Sequence, residues 1–107
     1  MPYQYPIEGV NLPQCGETWH VREVPGWRRD LMQEALLAYP KEQRTRHVRT
    51  AWIAGATCQP DGTMDDNLAP AMARVRELRA GDFDALFDAV EKLNEFGGGA
   101  AEEKAGN

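Results

Sequence analysis

The sequence predicts a mainly α-helical small domain of about four helices with a short N-terminal β-hairpin. Three observations lead there. Phe83, Leu86, Phe87, Val90 and Leu93 recur at steps of three, one, three and three, which places them on one side of a helix. Residues 27–38 and 68–78 carry apolar side chains at similar spacing, Trp27, Leu31, Ala35 and Ala38 in one and Leu68, Met72, Val75 and Leu78 in the other. Alternation of the strand kind is confined to residues 18–24, where Trp19 and Val21 share a face.

Taken in order, residues 1–13 hold three prolines and two tyrosines and read as extended or irregular. Gln14-Cys15-Gly16-Glu17 is a turn signal, so residues 18–24 can pair back on residues 8–12 as a hairpin. Pro25 and Gly26 end the strand, and a helix over 27–38 is stopped by Pro40, since a residue before proline is pushed out of helical geometry. A second helix is expected over 41–57, basic at first (Arg44, Arg46, His47, Arg49) and then apolar through Trp52 and Ile53. Within it Gly55 among small neighbours signals either a close helix approach or a bend.

Gln59-Pro60-Asp61-Gly62-Thr63 is the clearest turn of the chain. Asp65, Asp66 and Asn67 are cap candidates for the helix ending near Leu78, in which Pro70 is tolerated because it falls in the first turn. Asp82 is placed to cap the last helix, Asp84 and Asp88 suit the positive end of its dipole, and Gly97 ends it. The chain therefore reads as one domain over 1–96, followed by a flexible Gly/charged tail over 97–107. The expected core comprises Trp27, Leu31, Val48, Trp52, Leu68, Val75, Leu86, Phe87 and Val90.

Chemistry is thinly represented. Cys15 and Cys58 with His20 and His47 form a two-Cys, two-His set, but no pair has the close spacing of a zinc site, and no cofactor is expected. The aspartates after Gly62 lack the spacing and closing glutamate of a calcium loop. No serine or cysteine pattern beside the histidines reads as a nucleophile, so no catalytic residue is assigned. The net charge of −5 disfavours a dedicated nucleic-acid binder. The basic residues of 44–49 spread around a helix instead of forming one stripe. Acidity is concentrated in residues 61–107, with eleven Asp/Glu against five Lys/Arg. No apolar run approaches the roughly 20 residues that span a bilayer, and the N-terminus lacks the basic start and apolar block of a signal peptide, which points to the cytoplasm.

The order of features, Trp19-His-Val-Arg-Glu-Val24, then two helices, Cys58-Gln-Pro-Asp-Gly62, then Phe83-Asp-Ala-Leu-Phe-Asp-Ala-Val-Glu-Lys-Leu-Asn94, resembles the tail assembly chaperones of long-tailed bacteriophages. The resemblance covers roughly residues 18–94. It implies a non-enzymatic role in the host cytoplasm, coating the helical tape measure protein before the tail tube polymerises around it. Contact with the tail tube protein and self-association into an array would accompany that role. The rival readings are a structural head–tail or tail component of the virion and a small nucleic-acid-binding regulator using Arg44, Arg46 and Arg49. Five large apolar side chains on one helix exceed what a small domain leaves in water. The exposed apolar groups are accordingly expected at Trp19, Val21 and Phe96, with Arg44 and Arg49 available to acidic residues of a neighbour.

Overall fold

A hairpin opens the chain in the computed structural model, which describes residues 5–94. Strand β1 (Ile7–Asn11) pairs antiparallel with β2 (Thr18–Arg22), Val10 opposite Trp19 and Glu8 opposite Val21. The turn between them needs Gly16, at φ 76°. Helix α1 spans Gly26–Leu37 and α2 spans Val48–Ala56. A two-residue strand, β3 (Thr57–Cys58), follows α2 at once and pairs antiparallel with β2, giving the sheet order β1-β2-β3. Helices α3 (Ala69–Arg76) and α4 (Ala80–Asn94) complete the fold.

The expectation of a mainly helical domain is corrected: four α-helices are combined with a three-stranded antiparallel sheet, an α+β arrangement. The sheet is not an appendage. Trp19 and Val21 belong to the same core cluster as Leu86 and Val90, and α4 packs on both β1 and β2. A two-residue strand has too few positions to show a period, which is why β3 left no pattern in the sequence.

Helix α2 is the hub, packing on α1, α3, α4 and β2. Thr50 through Ala56 are all buried, as a helix that is small and apolar all round must be. The single long helix expected over 41–57 is corrected by what precedes this run. Residues 41–47 form two 3₁₀ turns, with Gln43 N–H donating to Pro40 O (2.8 Å) and His47 N–H to Arg44 O (3.1 Å). The polar side chains there offer no apolar face to dock, and tertiary burial is what stabilises a short helix.

The phase of α1 also differs from expectation. Trp27, placed in the core from sequence, is 53% exposed, whereas Arg28 is 1% exposed and Met32 4%. Arg28 and Met32 are the buried residues of α1, with Leu31, Ala35 and Leu36 partly buried beside them, so the centre of the stripe lies one position on from the expected one. One residue is about 100° of helical rotation, enough to carry Trp27 to the outside.

Helix α4 keeps its expected face: Leu86, Phe87 and Val90 are buried and Phe83 and Leu93 pack against them. Its start is capped from a distance. Gln14 Oε1 accepts from the N–H groups of Gly81 (3.0 Å) and Asp82 (3.3 Å), and Asp82 Oδ1 accepts from Gln14 N–H (2.8 Å). Asp82 is therefore fully buried between α4 and the hairpin loop, serving that loop and not its own helix. At the other end Asn94 Oδ1 accepts from Val24 N–H at 2.8 Å. The tail over 97–107 lies outside the described residues.

Gly55 is the closest approach in the helical half. A Cβ there would stand 2.4 Å from Met32 Sδ and 2.6 Å from its Cγ. Since Met32 is itself buried, G55A should overpack the α1–α2 contact and lower stability by about 1–3 kcal/mol, against a helix-propensity gain of at most about 1 kcal/mol. Urea denaturation checks this; a variant more stable than the parent would contradict it.

Candidate functional site

Helices α1 and α3 both pack on α2, yet leave an open groove between themselves. Two contacts set its ends. At the start, Arg28 Nη1 donates to Asp65 O; at the finish, Arg76 Nη1 reaches Tyr39 Oη at 3.4 Å. Both pairs are 37 residues apart in sequence, the constant offset of two segments running in the same sense. Between these ties lies a groove of about 520 Å³.

Its lining is apolar and narrow-shouldered. Leu31, Ala35, Leu68 and Met72 form the apolar base, and Ala38, Ala69 and Ala73 keep the walls low. The rim is polarised, with Asp66 toward the beginning of the groove, Glu34 midway along it and Arg76 at its far end. Beside Arg76, Tyr39 stacks on His47 with ring centroids 3.9 Å apart. Burial, followed by the neighbouring Arg76 and Arg46, holds His47 below its usual pKa, so this end carries its positive charge on arginine. Asn67 Oδ1 accepts from Ala69 N–H at 3.0 Å and so fixes the entry of α3.

The position of α1 depends on Arg28. Its Nε donates to Gly55 O at 3.2 Å while Nη1 holds Asp65 O. Burial pushes this guanidinium below its ordinary pKa, opposed by Asp65 and Asp66, but an arginine stays charged in any case. The charge is compensated by carbonyl dipoles, with Gly55 O at the negative end of α2.

The sequence-derived binding residues do not form one surface. Trp19 is 6% exposed and Val21 0%, which corrects their placement among exposed apolar groups. The alternation that put both on one face was right, but that face lies inward, under α4. Arg74 stacks over the Trp19 ring at 4.4 Å. Arg44 donates from Nε to Tyr39 O at 3.2 Å, and Arg49 on α2 lies 5.2 Å from the Phe87 ring. Phe96 lies outside the described residues. Among the described residues the exposed large apolar side chains are instead Tyr5, Ile7, Trp27 and Leu37.

Sequence reasoning missed the groove and Arg28. A signal for Arg28 was present: it shares the i, i+4, i+8 row of Met32 and Leu36, but a charged residue on an apolar row was passed over in favour of the neighbouring tryptophan. For the groove no local signal exists, because its walls come from segments far apart in the chain, Leu31 to Tyr39 and Asp66 to Arg76.

Of the two cysteines and two histidines, only one of each comes together. His20 stands opposite Cys58 across β2 and β3, beside a cleft of about 300 Å³ that Arg28 and Asp65 also line. Burial pushes the Cys58 thiol up, with Arg22 opposing. A thiol so placed is protonated at neutral pH and is not a primed nucleophile. Among the described residues no group of three His, Cys, Asp or Glu is arranged to hold a metal ion, and no helix is long and apolar enough to cross a membrane.

Two tryptophan substitutions separate core from surface. W19A should destabilise by about 3–5 kcal/mol, the cost of emptying a buried aromatic site, whereas W27A should stay within about 0.5 kcal/mol of the parent. Chemical denaturation of both variants checks the pair; equal effects would overturn the assignment. Comparison of the chain with family models, curated proteins and solved structures finds no match.

Proposed function

We propose that the chain is a tail assembly chaperone of a long-tailed phage and that it holds a helical segment of the tape measure protein in the groove between α1 and α3. The groove is the observation that carries this reading. An apolar trough between two helices running in the same sense suits the apolar face of an amphipathic helix, the helix-in-groove mode of recognition. Its rim charges add a direction: basic side chains of the client face Glu34 and Asp66, and acidic ones face Arg76. The order of sequence features from Trp19 to Asn94 supports the same family.

The role asks for binding and release, without covalent chemistry. Repeated along a long client in the host cytoplasm, weak individual contacts give a coat that holds by avidity and is displaced piecemeal by tube subunits. The exposed carboxylates of Asp84 and Asp88 and the net charge of −5 keep such a coat soluble and away from nucleic acid.

Ala73 lines the groove from the exposed side of α3, so Ala73→Arg fills it without entering the core. Co-expressed with the tape measure protein, the parent chain should recover it as a soluble complex. A73R should weaken that complex at least tenfold, about 1.4 kcal/mol, with unchanged circular dichroism and melting temperature. Undiminished capture by a folded A73R would overturn the groove, and the chain found in stoichiometric amount in mature virions would identify a structural tail component instead.

A further inference from the structure

A second cleft, of about 240 Å³, lies where the hairpin loop meets the end of α3 and the first turn of α4. Trp19 and Asp82 line it, at 6% and 0% exposure. Trp19 Nε1 and Asp82 Oδ2 are the buried side-chain polar atoms left without a hydrogen-bond partner among the described residues. Each belongs to a side chain that is otherwise fixed. Asp82 Oδ1 is engaged by Gln14 N–H at 2.8 Å, and the Trp19 ring is covered by the Arg74 guanidinium at 4.4 Å. The Cys15 thiol stands in the same cleft within reach of the Asp82 carboxyl, but S–H is only a weak donor and leaves that oxygen poorly satisfied. Native structures rarely bury such atoms without a use for them.

The walls of the cleft thus hold one unmatched donor, the indole N–H, and one unmatched acceptor, a carboxyl oxygen, both closed to bulk solvent. A cation would pair with Asp82 and leave the indole N–H unmatched. An anion would take the indole N–H and leave the Asp82 oxygen unmatched. A neutral group carrying both a donor and an acceptor satisfies both. We propose that this cleft binds an uncharged amide, its N–H donating to Asp82 Oδ2 and its carbonyl accepting from Trp19 Nε1. A side-chain carboxamide and a main-chain peptide group share that chemistry. Arg74 and Arg79 at the cleft supply further donors for the carbonyl of a longer ligand. The site is separate from the groove between α1 and α3 and does not depend on what occupies it.

The indole N–H resonance of Trp19 in ¹H–¹⁵N spectra of the ¹⁵N-labelled chain reads the site directly, with Trp27 and Trp52 as internal controls. Acetamide represents the carboxamide, N-methylacetamide the peptide group, and methylammonium and acetate are the charged isosteres. The Trp19 peak should move saturably with one or both amides, and the Trp27 and Trp52 peaks should stay. The stronger amide identifies the source. Asp82→Asn should weaken that response at least tenfold while circular dichroism is retained. If that variant fails to fold, the isostere series on the parent chain decides alone. An unmoved Trp19 peak up to the solubility limit, as for a cleft that holds water only, or equal shifts with acetate or methylammonium, would overturn the proposal.

Discussion

A single buried cation organises the helical half of this protein. Arg28 is 1% exposed and spends its donors on two main-chain carbonyls, Gly55 O and Asp65 O. One of these is an end carbonyl of α2, which has no partner within its own helix; the other belongs to the segment that leads into α3. One side chain of α1 therefore finishes α2 and aims α3. Taking a guanidinium out of water is costly, and the arrangement persists because its donors meet oriented dipoles. The groove between α1 and α3 follows from this tie at one end and from Tyr39 with Arg76 at the other.

The hairpin half is joined by the same device. Gln14 and Asp82 exchange hydrogen bonds across 68 residues of sequence, and Asn94 receives the N–H of Val24 across 70. Gln14 thereby completes the first turn of α4, and at the far end the Asn94 side chain in turn satisfies a main-chain N–H of the segment after β2. Helix α4 is thereby pinned to the hairpin at both ends, and its apolar face, Leu86, Phe87 and Val90, closes over Trp19 and Val21 in one core.

These long-range caps explain what could be read in the sequence. Residues 83–93, the Pro60-Asp61-Gly62 turn and the alternation around Trp19 are local patterns, and each became the expected element. Gly62, for instance, takes the positive φ of 91° that its turn required. What failed was information that only tertiary contact supplies. Asp82 looked like a cap for its own helix and caps the hairpin loop. Residues 41–47 have helical propensity but no face to bury. Arg28 and Trp27 differ by one position, and composition favoured the aromatic for the core. The groove left no trace of this kind, because its walls come from two helices far apart in the chain.

The dependence of the groove on Arg28 is open to a direct measurement. Lysine at this position keeps the charge but replaces a planar fork by a point donor, so it cannot hold both carbonyls. Arg28→Lys should lower stability by about 1–3 kcal/mol in urea denaturation, the cost of leaving a buried acceptor unpaired. Under native conditions, in the fraction that remains folded, it should also lose capture of the tape measure helix proposed as the client of the groove. An R28K protein that unfolds at the parent's midpoint and binds the client equally well would contradict the account.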